Sequence, residues 1–264
     1  MTILDEIVAH KREEIKSLDE FEELEDRIFD LSSNESMPLT KGFLKALRDA
    51  EGPSLIAEVK KASPSKGVIR EDFDPVEIAK QYEAGGAHCI SVLTDSKYFQ
   101  GSFENLVTVS SEVQIPCLCK EFIIHPKQVA QARLMGADAV LLIAAILADE
   151  EIEDLRYIAN EYGMDVLLEV HSEDEMERAL RLESDLIGIN NRNLETFEVS
   201  LDTSSKLISR FKYDLGGVTL VSESGINSKA DILILYNMGV KGFLVGESLM
   251  RQDDLKSAVE NLVL

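Results

Sequence analysis

The chain has 264 residues and carries 27 Lys plus Arg against 49 Asp plus Glu, a formal charge of −22. A hydrophobic content of 45% excludes a disordered acidic tail, and the charge argues against broad affinity for nucleic acid or anionic membranes. Any anionic ligand must therefore find a locally basic site inside a repulsive envelope. The length fits one large domain or two small ones.

Three cysteines, Cys89, Cys117 and Cys119, cannot all pair with one another. With no signal-peptide pattern in MTILDEIVAHKREE, a cytoplasmic location is expected. The longest apolar run, Ala139 to Ala148, has ten residues. A bilayer span needs roughly 20, so no membrane partner is expected.

The first fifty residues differ in texture from the rest. Ile3, Ile7, Ile15 and Leu18 recur at roughly helical spacing, and DEFEELEDRIFD continues as a second, acidic helix. Ser32, Ser33 and Asn34 break that pattern before GFLKAL predicts a short third helix. No strand pattern precedes Ser54. Residues 1–52 thus read as a helical extension packed on a catalytic unit of residues 53–264.

From Ser54 onward, apolar runs alternate with amphipathic stretches. The runs are SLIAEVK, CISVLT, PCLCK, AVLLIAA, DVLLEV, DLIGIN, VTLVSE and GFLVG, each followed by a helix candidate. Runs apolar on both faces indicate strands covered on both sides, as in parallel sheets. Glycines at Gly85-Gly86, Gly136 and Gly239 suit helix C-termini that feed the next strand. Eight such units predict an α/β fold, the closed (β/α)₈ TIM barrel, with an open doubly wound sheet as the alternative. Neither GxGxxG after the first strand nor GxxxxGK[ST] occurs, so the usual nucleotide fingerprints are absent.

Several runs end in polar residues where a buried strand should stay apolar. Glu58 and Lys60 are two apart and share a face, and Lys120 shares one with Leu118. Glu169 ends the fifth run, Asn190 the sixth with Arg192 just beyond, and Ser222 to Gly225 the seventh. Carboxyl ends of barrel strands form one mouth, where active sites of this fold lie. Each residue alone could be half of a structural ion pair. Together they favour a shared site, since an uncompensated buried charge costs several kcal/mol.

His88, Cys89, Cys117 and Cys119 are a competing, zinc-like set. Cys117 and Cys119 point away from the Lys120 face, toward the covering helices, so no metal is expected. His10 reads as a solvated helix residue, and His125 and His171 as structural caps near the mouth. Ser224-Gly225-Ile226 and Gly246-Glu247-Ser248 follow the seventh and eighth runs, where barrels often seat phosphate on backbone N–H groups. The segment from Lys61 to Asp72, with Ser63-Pro64-Ser65-Lys66-Gly67, holds too many turn formers for regular structure and reads as a mobile lid.

These segments resemble the indole-3-glycerol-phosphate synthase family of tryptophan biosynthesis. The resemblance is carried by IAEVKKASPSKG, ISVLTDSKYFQGS, CKEFIIHPKQVAQAR, GADAVLLI, LLEVHSEDE, IGINNRNL, VSESGI and FLVGESLM, in order from Ile56 to Met250. It implies a lyase acting on 1-(2-carboxyphenylamino)-1-deoxyribulose 5-phosphate, with neither metal nor organic cofactor; the partner expected is this small phosphorylated substrate, and the chain is expected to be a monomer. By motif, Lys120 resembles the acid of ring closure and Glu169 the acid/base residue. Lys60 resembles the grip on the anthranilate carboxylate, Glu58 a second catalytic carboxylate, and Asn190 the partner of the substrate hydroxyls. Arg192 would attract anionic substrate groups and orient Asn190 or Glu169. The family likeness puts Ser63, Ser224, Gly225 and Gly246 at or beside the phosphate, and Phe99, Phe122 and Leu194 around the aromatic ring.

Two departures stand out. Glu247 replaces a serine found in some members, so its carboxylate must turn from phosphate. Glu121 stands where many have aspartate, and strand parity turns it from Lys120, so little consequence is expected. Alternative readings are another phosphate-binding barrel, such as phosphoribosylanthranilate isomerase or an epimerase, and a pocket that binds an anion without chemistry.

Overall fold

The computed structural model describes residues 2–34, 36–194 and 196–263. Three helices come first: α1 (Ile3–Glu14, continued by a 3₁₀ turn at Ile15–Ser17), α2 (Phe21–Ser33) and α3 (Phe43–Asp49). They are followed by β1 (Ser54–Val59), the short β2 (Ala62–Ser63) and β3 (Gly67–Val68), α4 (Pro75–Ala84) and β4 (Cys89–Leu93). Next come α5 (Ser96–Phe99), α6 (Phe103–Glu112), β5 (Cys117–Lys120), α7 (Pro126–Leu134), β6 (Ala139–Ile143) and α8 (Asp149–Glu161). Then β7 (Asp165–Val170), α9 (Glu173–Arg181), β8 (Leu186–Asn190), α10 (Asp202–Phe211) and β9 (Thr219–Glu223) alternate. The chain closes with α11 (Lys229–Tyr236), β10 (Val240–Val245), α12 (Glu247–Met250) and α13 (Leu255–Glu260).

Eight strands form a closed parallel barrel in the order β1-β4-β5-β6-β7-β8-β9-β10, with β10 returning to pair with β1. This is the predicted TIM barrel; the open sheet is excluded by that closing pair. Strand alternation produces two cores. Leu55, Ala57, Val59, Cys117, Cys119, Leu168 and Val170 face the covering helices, while Ile56, Cys89, Leu118, Leu141, Leu167, Val221 and Leu244 fill the interior. Period-two alternation thus sends Cys117 and Cys119 outward and Lys120 inward, as their spacing requires. All three thiols are free, and burial pushes each upward, so they behave as small core hydrophobes.

Local chemistry sets where the helices start and stop. Asp74 caps α4 by accepting from the Val76 and Glu77 N–H groups, and Pro75 opens its first turn. Gly136 ends the α7 segment at φ +86°, a left-handed conformation that favours glycine. His125 is the α7 N-cap, its Nδ1 accepting from the Lys127 N–H, as the capping reading expected.

The extension runs from the mouth to the floor of the barrel. Phe43 and Leu47 of α3 are fully buried against the inner residues and close the amino-terminal end of the barrel. Each such side chain contributes roughly 1.5–3 kcal/mol by burial. Arg48 donates to Thr219 Oγ1 (2.8 Å), and Asp165 accepts from the Leu44 N–H (2.8 Å), tying α3 to the strand starts. Helix α2 packs Leu24 and Ile28 on Ala130 of α7. Helix α1 returns to the opposite end, where Lys11 is buried.

The segment at 61–72 differs from expectation. Ala62 pairs with Val68 and Ser63 with Gly67 in a small antiparallel hairpin, turned at Gly67 with φ +66°. Two-residue strands are too short to leave a periodic signature. Arg70 anchors the base of this hairpin by donating to the carbonyl of Gln252 (2.9 Å).

Candidate active site

Where inner positions reach the carboxyl ends of the strands, they turn polar around one cavity of about 690 Å³. Its floor carries Glu58 and Lys60 from β1 and its end, Lys120 from β5, Glu169 from β7, Asn190 from β8 and Glu223 from β9. Lys60 is ion-paired with Glu58. Lys120 is ion-paired with Glu223 and lies 3.5 Å from Glu169. Glu58, Glu169 and Glu223 are only 4%, 2% and 1% exposed, so each depends on these partners.

Their titration is set by burial competing with charge. Burial opposes the charge on Glu58, but Lys60 and Lys120 outweigh it and hold that carboxyl below the usual range. Burial likewise opposes Glu169, yet Lys120, His171 and Asn190 hold its carboxyl well down. For Glu223 burial wins: Lys120 offsets part of it, while the charges on Glu169 and Glu58 add to the upward push. Lys120 is held protonated, since Glu223, Glu169 and Glu58 together outweigh its own desolvation. The resting layer therefore combines a fixed ammonium, an ionised Glu169 and a carboxyl, Glu223, that readily holds a proton.

Glycines make room for this layer. A Cβ at Gly188 would strike Glu223 Oε1, and one at Gly246 would strike the Glu58 carboxylate and the Lys60 ammonium. Around the rim, Phe99 and Phe122 stand 6.1 Å apart between ring centroids, and Leu194 lines the same cavity. Ser63 reaches it from the hairpin.

Ser224, Gly225, Gly246 and Glu247, which follow β9 and β10, line the same cavity. Ser224 and Gly225 both have positive φ, +64° and +83°, and Ser224 is strained in that state. Asn191 holds the turn: its Nδ2 donates to Ser222 Oγ and to the carbonyls of Glu223 and Ser224. Ser248 donates to the Ile226 carbonyl (3.0 Å) and joins the two seats.

All fourteen residues singled out from the sequence line this one cavity. Of the two residues Arg192 is expected to orient, it holds Asn190, through its backbone. Its backbone N–H donates to Asn190 Oδ1 (3.0 Å), which orients Asn190, while its guanidinium donates to the Phe197 carbonyl (3.3 Å) rather than reaching Glu169. Glu247 is paired with Arg251 (3.0 Å), a cation that the sequence reading did not assign to the site.

Four further contributions escaped the sequence reading. Glu223, a polar strand end in sequence, is the ion-pair partner of Lys120 at the cavity floor. Ile3, Leu4 and Ile7 of α1 line the cavity, which no local pattern could reveal. Glu121 does face away from Lys120, but it is buried against Lys11 (3.0 Å) and is not inconsequential. His171 lies just before the α9 N-cap Ser172 instead of capping, with its ring 3.1 Å from Glu169.

A family model described as indole-3-glycerol phosphate synthase matches residues 4–262. A protein of that name from Crocosphaera subtropica is 52% identical over 267 residues, spanning 98% of this chain and 89% of its own length. Another from Prochlorococcus marinus is 48% identical over 264 residues, spanning 98% of this chain and 88% of its own. Among solved structures, a 3-hexulose-6-phosphate synthase superposes with a TM-score of 0.60 at 14% identity, over 79% of this chain and 97% of its own. A thiamine phosphate pyrophosphorylase from Pyrococcus furiosus gives 0.59 at 19%, over 79% and 93%. At such identities those two likenesses concern the barrel alone. The matched family model and the curated relatives extend over nearly the whole chain, and the chain belongs to the indole-3-glycerol phosphate synthase family.

Proposed function

We propose that this cavity converts 1-(2-carboxyphenylamino)-1-deoxyribulose 5-phosphate to indole-3-glycerol phosphate, CO₂ and water, with the lysine–carboxylate floor doing the chemistry. The chain is thus a carboxy-lyase of tryptophan biosynthesis. Ring closure forms a bond between the carboxylate-bearing ring carbon and the substrate carbonyl carbon, and the carbonyl oxygen needs a proton. Lys120, kept charged by three carboxylates, supplies that proton or stabilises the oxyanion. Loss of CO₂ leaves its bonding electrons in the ring system.

Dehydration then needs a base for the anilino proton and an acid for the departing hydroxyl. Glu169 is ionised and faces the cavity, which suits the base. Lys60, paired with Glu58, meets the anthranilate carboxylate and assists the leaving hydroxyl. Asn190 hydrogen-bonds the hydroxylated chain, and the phosphate is taken at the Ser224-Gly225 and Gly246-Glu247 turns. Arg251 neutralises Glu247 there. Ser63 closes over the phosphate from the hairpin, and Phe99, Phe122 and Leu194 enclose the ring.

The observation that carries this reading is the inward layer of Lys120 between Glu169 and Glu223, which simple anion binding would not require. The three unpaired cysteines fit a cytoplasmic setting, and among the described residues no helix is long and apolar enough to cross a membrane. We read the working form as a monomer. Since the chain has no tryptophan, indole fluorescence reports the product against a low background. Purified protein given the substrate should produce that rise; a flat trace with verified substrate would overturn the assignment.

A further inference from the structure

We propose that His171 is a positioning residue, clamping Glu169 of β7 to Glu175 of α9 so that one Glu169 oxygen stays on the cavity. The ring follows β7 by one residue, and its side chain is 12% exposed. Its Nε2 is 3.1 Å from Glu169 Oε1, and its Nδ1 is 3.1 Å from Glu175 Oε2. Lys120 approaches the other oxygen of Glu169, Oε2. His171 does not line the cavity itself, so its influence on substrate passes through Glu169.

The far end of the clamp is rigid. Glu175 Oε2 also accepts from the His171 backbone N–H (2.8 Å), and its Oε1 accepts from the Ser172 hydroxyl (3.1 Å). Ser172 caps α9 by accepting from the Glu175 N–H, so helix start, ring and carboxylate form one unit. The Nδ1 contact is a hydrogen bond, while Nε2 meets Glu169 as a close charge contact without hydrogen-bond alignment; a ring held against two carboxylates in this way favours the imidazolium, which carries N–H on both nitrogens. The charged groups facing the ring are Glu169 from β7 and Glu175 from α9. On its far side, Glu169 meets Lys120 of β5 and Asn190 of β8. Burial opposes the ring's charge, but the two carboxylates override it and raise the imidazole to about 10.

The consequence concerns where a proton rests. With a cation on either side, Glu169 stays ionised while the neighbouring Glu223 takes the upward push. Glu169 therefore enters the reaction as a base, already oriented. This rests on the reading of Glu169 as the acid/base residue.

The test compares wild type with His171→Gln, which keeps a donor and removes the charge. Turnover should fall about tenfold or more, and KM should stay within about threefold. The acid limb of the kcat profile should move up by about one pH unit, because Glu169 loses a stabilising cation. A purely structural His171 would lower the melting temperature and leave kcat and that limb unchanged; this result would overturn the proposal. Glu175→Gln should shift the limb in the same direction, and it serves if His171→Gln does not fold. Independently of activity, ring ¹⁵N resonances of wild-type His171 should show imidazolium at pH 8; a neutral ring would overturn the clamp. Failure of the wild type to form indole product, with the imidazolium intact, would instead fault the functional reading on which the proposal's catalytic consequence depends.

Discussion

Two lysines in this molecule, the buried Lys11 and the part-buried Lys120, each face three carboxylates, yet the two clusters differ in kind. Lys120 is ion-paired with Glu223, lies 3.5 Å from Glu169, and is influenced by Glu58. Lys11 of α1 pairs with Glu14 (2.6 Å), Asp95 (2.7 Å) and Glu121 (3.0 Å). Around Lys11 the acids are further tied by short-range bonds. Asp95 accepts from the Tyr98 N–H, and Glu121 accepts from the Phe122 N–H and the Thr94 hydroxyl. Each cluster leaves one carboxylate oxygen without a hydrogen-bond partner among the described residues, Asp95 Oδ2 in one and Glu223 Oε1 in the other, but Lys120, Glu169 and Glu223 border the cavity whereas Lys11, Glu14 and Asp95 do not. The same ionic composition thus makes a fastener where the cation is walled off by packing, and a reactive site where the cation itself lines a cavity.

The fastener also serves the site at one remove. Asp95 starts the helix that carries Phe99, and Glu121 lies between Lys120 and Phe122. Lys11 therefore joins the extension to both aromatic walls, while Ile3, Leu4 and Ile7 of the same helix cover the cavity.

Charge removal should separate the two clusters. Lys120→Met should lower kcat by at least about a hundredfold while substrate still binds, because its role belongs to the transition state. Steady-state kinetics with a binding titration measures both, and a wild-type rate would remove Lys120 from the mechanism. Lys11→Met should instead destabilise the fold by about 3 kcal/mol, because three acids lose a buried partner. Its kcat should stay within about fivefold, with KM affected more through the walls. A urea melt unchanged from wild type would end the distinction.

Glu223→Gln sharpens the comparison through pH. The Glu223 carboxyl is raised from 4.5 to about 7, so the folded state binds the proton more tightly than the unfolded chain. For this group, stability is greatest below the unfolded pKa and falls as pH rises toward the folded one. Across roughly pH 4.5 to 7, the Glu223→Gln variant should lack that decline in urea midpoint. An unaltered slope would mean that Glu223 is not the proton holder. Arg251→Ala carries the smallest effect. Its pair with Glu247 is partly exposed, and freeing that carboxylate beside the phosphate seat should raise KM about threefold with kcat unchanged. Glu247→Ser in the same background should reverse the rise; an unchanged KM for Arg251→Ala would detach this pair from the seat.

What the sequence made legible follows from which interactions are local. Strand parity is a two-residue rule, so it puts Glu58 with Lys60 on one face and Lys120 on the face opposite Cys117 and Cys119, while Glu169 and Asn190 are legible as polar ends of apolar runs. The same parity, carried one step beyond β7, puts His171 on the face of Glu169, so its position relative to that carboxylate is also legible. Glu121 shows the reverse limit. Its direction was readable, but its partner lies 110 positions away on α1, and no local rule names it. The cover provided by Ile3 and Ile7 and the small hairpin at Ser63 likewise arise from tertiary docking and strand pairing, which leave little trace in local periodicity, whereas the Arg251–Glu247 pair is an i,i+4 contact that spacing alone offers.

The most direct test of the division between the two lysines is a single turnover with enzyme in excess, followed by indole fluorescence. Wild type, Lys11→Met and Lys120→Met are compared at concentrations where each is folded and has bound the substrate. Wild type and Lys11→Met should form product at similar rates, while Lys120→Met stays nearly flat with substrate bound. Product formation by Lys120→Met at the wild-type rate would contradict the account.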